Sequence, residues 1–181
     1  MSPSKSARKV LLLVSLTPDY REQLFEMMEE WCSYEGGGKD DRTPFAIFKN
    51  DYHDFDLYLD RLEIKEERDG LVPDSTFFAL DEDGVFVGAV NIRHRLNEKL
   101  LRTGGHIGDG IRPSRRGQGY GKEMLRLALE ECRKLGIDRV LMTCGKENVA
   151  SARTILGNGG VLENEIALDD GEILQRYWID L

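Results

Sequence analysis

Arg115, Arg116, Gly117, Gln118, Gly119, Tyr120 and Gly121 follow one another between a stretch that reads as a strand and a strongly amphipathic helix. A strand that opens through glycines onto a helix N-terminus presents backbone N–H groups without intrahelical partners at the positive end of a dipole. Phosphate oxygens bind such an end. Around this loop Arg112, Arg115, Arg116, Lys122 and Arg126 stand against Glu123 alone. A multiply charged anion accounts for a basic island at a helix start. The competing reading is a solvated basic turn whose glycines serve the change of direction.

Counting excludes two common phosphate motifs. A Walker-type loop requires Gly-x-x-x-x-Gly-Lys-Ser/Thr, but with Gly121-Lys122 in register the first position is Arg116 and the last is Glu123. The dinucleotide pattern Gly-x-Gly-x-x-Gly fails because Gly117, Gly119 and Gly121 alternate evenly, which puts Lys122 where the third glycine belongs.

Other reactive side chains are sparse. His53, His94 and His106 are far apart and lack metal-ligand spacing. Cys32, Cys132 and Cys144 form no Cys-x-x-Cys pair and read as free thiols, not as a disulfide framework or zinc site. A Cys-His hydrolase built from Cys144 and His106 rests on residue types alone. On a strand over residues 106–112, a period of two places His106 with Gly108 and Gly110 on one face. Asp109 then shares the other face with Ile107 and Ile111, so the two do not act as one pair. Both are candidates for a general base, and both have a bland alternative, a hydrogen-bonded structural histidine and an edge-strand acid.

These residues need elements to hold them. Residues 10–14 read as a buried first strand, and Pro18 then opens a helix carrying Leu24, Phe25, Met28 and Trp31 before Gly36, Gly37 and Gly38 end it. A second helical region covers residues 50–67. Residues 76–80 and 85–92 are strand-like around an Asp81-Glu82-Asp83-Gly84 turn, and the polar residues 93–103 form a loop into the strand with His106 and Asp109. In the helix after the glycines, Leu125, Ala128, Leu129, Cys132 and Leu135 make the inner stripe, with Glu123 and Arg126 outside and Gly136 as the stop. A strand over residues 138–143 follows, then a short helix capped by Asn148. Residues 161–167 and 173–179 form a closing antiparallel pair.

The chain has 181 residues, 40% hydrophobic and 32% charged, which suits a globular protein with one domain over residues 10–181. Its net charge of −8 argues against nucleic-acid or anionic-membrane partners and is compatible with cationic substrates. No apolar run approaches the roughly 20 residues of a membrane span. Residues 1–9, polar and basic without a convincing cleavage site, read as a disordered or tag-like tail of a cytoplasmic protein.

Arg116 to Gly121 satisfies Arg/Gln-x-x-Gly-x-Gly/Ala, and the helix, the strand, Asn148-x-x-Ser151 and the Gly159-Gly160 ending follow in order. In these features the sequence resembles the GCN5-related N-acetyltransferase (GNAT) superfamily, well over residues 76–181 and more loosely over residues 1–70. The Gly104-Gly105-His106-Ile107-Gly108 and Gln175-Arg176-Tyr177-Trp178 stretches look like a bacterial group of predicted acetyltransferases. The resemblance implies an α/β (α+β mixed) GNAT fold, a central mixed, mostly antiparallel twisted sheet of about six to seven strands flanked by about four helices. It implies acetyl-CoA as cosubstrate and direct transfer to a primary amine in a ternary complex.

By position, the resemblance puts the CoA pyrophosphate on the amides around Gly117, Gln118, Gly119, Tyr120, Gly121 and Lys122, with Arg116 adding charge. Ile111 would offer a backbone N–H to the thioester carbonyl. Asn148 would meet the pantetheine arm and Ser151 the cofactor's phosphate end, with helix capping as the alternative for both. The tyrosine that serves many relatives as general acid is replaced by Ile155. That departure keeps open a non-catalytic acyl-CoA-binding module. For the acceptor, the acidic surface and Asp109 favour a cationic amine, either a small molecule such as a polyamine or a lysine or peptide N-terminus. Homodimers are frequent in this fold, but no residue here specifies an interface.

Overall fold

Every side chain from Phe86 to Ile92 is buried, because this strand lies at the centre of the molecule with helices on both faces. The computed structural model describes residues 8–37 and 41–181. The expectations for residues 1–7 of the tail and for Gly38 fall outside the described residues. The elements run β1 (Leu12–Val14), α1 (Arg21–Ser33), α2 (Phe45–Phe48), α3 (Phe55–Arg61), β2 (Asp74–Leu80) and β3 (Phe86–Arg93). They continue with β4 (Ile107–Ile111), α4 (Tyr120–Lys134), β5 (Arg139–Gly145), α5 (Val149–Leu156), β6 (Val161–Ala167) and β7 (Ile173–Asp180).

The strands form two antiparallel sheets, β1-β2-β3-β4 and β5-β7-β6. The α+β class and the strand count follow the sequence reading. The single central sheet is instead divided between β4 and β5. Several boundaries also shift, and the strand expected over residues 106–112 is Ile107–Ile111, so His106 stands just before it. The region at residues 50–67 holds only α3, preceded by the short α2, and the first strand is trimmed to Leu12–Val14. Residues 93–103, expected as plain loop, include part of a π-type turn over Leu100–Gly104.

Two apolar clusters lie on opposite faces of the four-stranded sheet. One joins Leu24, Met28 and Trp31 of α1 to Ile47, Tyr58, Phe78 and Phe86. The other joins Val90 and Ile92 to Met124, Leu125 and Ala128 of α4, to Val140 and Met142 of β5, and to Ile155 of α5. Burying each such aliphatic side chain is worth about 1.5–3 kcal/mol, and this second cluster bonds the two sheets through α4. On α4 the inner stripe holds at Leu125, Ala128, Leu129 and Cys132, while Leu135 is exposed. Glu123, expected outside, is buried because Arg8 and Arg126 both reach its carboxylate.

Candidate active site

β4 and β5 touch at one end and part at the other. The N–H of His106 donates to the Leu141 carbonyl at 2.8 Å, and the Leu141 N–H donates to His106 Nδ1 at 2.9 Å. Gly105, just before, has φ +65°, and a Cβ there would lie 2.6 Å from the Leu141 carbonyl oxygen. Past this seam the two strands share no ladder among the described residues, and a gap opens between them.

The seam decides what His106 can do. Its imidazole is buried, and an accepting Nδ1 requires the ring proton on Nε2, which leaves no lone pair free for substrate. Burial, helped by the charge of Arg93, pushes its pKa down to about 4, so the ring is a neutral staple between strands. Asp109 is differently placed. It pairs with Val90, and its carboxyl lies on the face shared with Ile107 and Ile111, away from the staple. Asp109 is half-buried, but protein surrounds its carboxyl closely, and this desolvation raises it to about 6, with Arg93 opposing.

Backbone alternation places Ile111. The N–H of Arg93 donates to His106 and that of Arg112 to Val87, which makes Val90–Asp109 and Gly88–Ile111 the non-hydrogen-bonded pairs of the β3–β4 ladder. The N–H and C=O of Asp109 and Ile111 therefore point away from β3, toward the open edge. The Ile111 carbonyl is taken by Arg116 Nε at 2.8 Å, whereas its N–H has no partner among the described residues.

The glycine loop begins with a short 3-10 turn, Pro113–Arg115, and reaches α4 through Gly117 (φ +70°) and Gly119 (φ +87°). Gly119 is the helix N-cap and offers no side chain to cap the first turn. Among the described residues, the amides of Gly117, Gln118, Gly119 and Tyr120 donate to no other protein group. The basic island is otherwise largely neutralised from within. Arg112, buried, meets Glu30 and Glu26; Arg115 meets Asp81 at 3.2 Å; Arg116 meets Asp41; and Arg126 meets Glu123 and Glu130. Lys122 alone of the five has no acidic partner among the described residues. The acids are 30 or more positions away in sequence for the first three arginines, so local charge counting could not see them.

At the other side of the gap, Asn148 caps α5 by accepting the Ser151 N–H at 3.1 Å. Burial raises the Cys144 thiol above its ordinary value, and the nearby Ser151 side chain opposes that rise. That thiol has no bond to His106, so a Cys-His nucleophile pair is not assembled. Ile155 is fully buried in the core and has no proton to give. Tyr177, also buried and facing the same cluster, donates its hydroxyl to Gln175 Oε1 at 2.7 Å. Sequence spacing could not bring Tyr177 and Cys144 together, since β7 lies between β5 and β6. The described residues contain no group of three metal-ligating side chains and no helix long and apolar enough to cross a membrane.

Residues 39–156 match the model of the acetyltransferase (GNAT) family. The chain belongs to this family. It is accordingly an acyltransferase of GNAT type, a family whose acetyl donor is acetyl-CoA. Solved structures with a similar fold include mutant forms of the spermidine/spermine N-acetyltransferase SpeG from Vibrio cholerae, 18% identical over 94% of this chain and 95% of that one, with a TM-score of 0.60. A candidate ribosomal-protein-serine acetyltransferase from the same organism is 21% identical over the whole of both chains, with a TM-score of 0.62. A candidate acetyltransferase from Salmonella typhimurium, solved with its cofactor acetyl-CoA, is 17% identical over 94% of each chain, with a TM-score of 0.60. No curated protein sequence matches.

The geometry of this GNAT acetyltransferase fits the donor. Its loop amides are unpaired, no protein atom stands within 4 Å of where a Gly117 side chain would project, and Lys122 is exposed beside them.

Proposed function

We propose that the protein transfers an acetyl group from acetyl-CoA to a primary amine by direct attack in a ternary complex, with Asp109 as general base. The observation that carries this reading is Asp109 itself, a desolvated carboxyl near pKa 6 on the strand that parts from β5, two residues from the outward-facing N–H of Ile111. Bound acetyl-CoA supplies a thioester already activated toward amines. The amides from Gly117 to Lys122 hold its pyrophosphate, as anions are held at helix N-termini. Asn148 and Ser151 shape the wall beside the pantetheine arm while capping α5.

Asp109 accepts a proton from the ammonium form of the acceptor. A carboxylate tuned near neutrality balances the fraction ionised against its strength as a base. The Ile111 N–H is fixed in a ladder, so it offers a preorganised dipole to an oxygen gaining negative charge. With Ile155 in place, no side chain at that position protonates the departing thiolate, and solvent does so. The acceptor is a cationic amine, a reading supported by the net charge of −8 and by the fold shared with spermidine N-acetyltransferases.

Calorimetric titration with acetyl-CoA, followed by detection of free CoA thiol on addition of spermidine and a panel of other amines, tests the reading. Saturable binding with amine-dependent thiol release is expected. Binding without release for any amine would instead mark an acyl-CoA-binding module, the reading that the buried Ile155 favours.

A further inference from the structure

The first residue of the glycine motif is expected to serve phosphate, but its side chain is engaged elsewhere. Arg116 Nε donates to the Ile111 carbonyl at 2.8 Å, and Nη1 lies 2.5 Å from Asp41 Oδ1. The guanidinium also stands over the rings of Trp31 and Tyr34, 5.8 and 5.3 Å from their centroids, within range of a cation–π attraction. Asp41 is held a second time, because its carbonyl accepts the Trp31 indole N–H at 2.9 Å. Two residues on, Thr43 Oγ1 donates to the Asp109 carbonyl at 3.0 Å. The Thr43 carbonyl fills the space that a side chain at Gly110 would need.

The segment from Asp41 to the start of α2 therefore packs on β4 at Gly108 and Gly110 and reaches round to its edge at the Asp109 carbonyl. Its anchor is an ion pair whose two side chains are 35% and 14% exposed, bound on several sides at once. Lysine could not replace this arginine. Only a planar fork can give one N–H to a carbonyl, another to a carboxylate and its face to two rings.

We propose that Arg116 is a positioning residue that straps residues 41–48 across β4, holding Asp109 and Ile111 in place and tying that wall to the glycine loop. The strap is a statement about the free protein. Its consequence for acetyl transfer, through Asp109 and the glycine loop, rests on the function proposed above.

Hydrogen exchange of the free protein, with calorimetric titration by acetyl-CoA, tests it on Asp41→Asn, Arg116→Lys and the double variant. A partly buried, multiply bonded pair implies that either single change speeds exchange in residues 41–48 by about 3–10-fold, and that the double change adds little more. Acetyl-CoA affinity should stay within about twofold in all three, because the phosphate-binding amides are untouched. Unchanged exchange in either single variant, or effects that simply multiply in the double, would overturn the strap. So would an affinity loss of about tenfold in Arg116→Lys with none in Asp41→Asn, which would make Arg116 a phosphate ligand. If the wild-type protein fails to bind acetyl-CoA the proposed function falls, and the exchange measurements still decide the strap.

Discussion

Two titratable groups three residues apart, His106 just before β4 and Asp109 within it, are driven in opposite directions by burial. Desolvation disfavours charge, so it lowers the His106 cation to about 4 and raises the Asp109 anion to about 6. Asp109→Asn should lower kcat/KM by about 10²–10⁴ at pH 7.5, and the wild-type rate should rise with pH through about 6 as the carboxyl ionises. Initial rates across pH check both. The imidazole makes a separate prediction about stability. Its folded value lies below its ordinary 6.5, so the unfolded chain takes up the proton first. Stability is then intact above about 6.5, falls as the pH drops toward 4 and levels off below it, a loss of up to about 3 kcal/mol. His106→Asn keeps an acceptor near Nδ1 without a titrating ring, and thermal unfolding between pH 7 and 4 should show a flatter dependence. The strand period was enough to separate these residues onto two faces. It could not tell which was tied down, because the tie runs to Leu141, 35 positions away.

At the scale of elements, close backbone approach makes glycine the controlling residue. Gly110→Ala would drive a methyl group into the Thr43 carbonyl and the Trp31 ring. The expected cost is about 1–3 kcal/mol in thermal or denaturant unfolding, with the shift concentrated in residues 41–48 by hydrogen exchange. Gly119→Ala meets almost no neighbour but keeps φ +87°, so the helix start must distort or carry about 1–2 kcal/mol of strain. Weaker acetyl-CoA binding with an otherwise folded protein is the outcome to look for by calorimetry. The helix after the glycines was legible from its apolar stripe, as was the cap at Asn148, since both signals are local. The use of the arginines was not. Arg112, Arg115 and Arg116 look like a phosphate cluster until Glu30, Asp81 and Asp41 arrive from other elements to meet them.

For the molecule as a whole, a net charge of −8 sets a long-range field that draws cations and is screened by salt. With spermidine as acceptor, KM should rise about twofold or more between low and physiological ionic strength while kcat changes little, measured by thiol release. The seven strands could be read from composition and turns, but their division into two sheets could not. Strand periodicity reports which way side chains point and is silent about which neighbours stay bonded. That division has a mechanical meaning. The two ladders are hinged at His106 and Leu141 like the legs of a drawing compass, and changing the angle between the legs breaks no rung within either ladder. The apolar cluster under α4 spans both legs, so the joint at Gly105 turns only as far as that core allows. Under the proposed function, tolerance for longer acyl chains should respond to substitutions at that joint more than to substitutions inside either ladder.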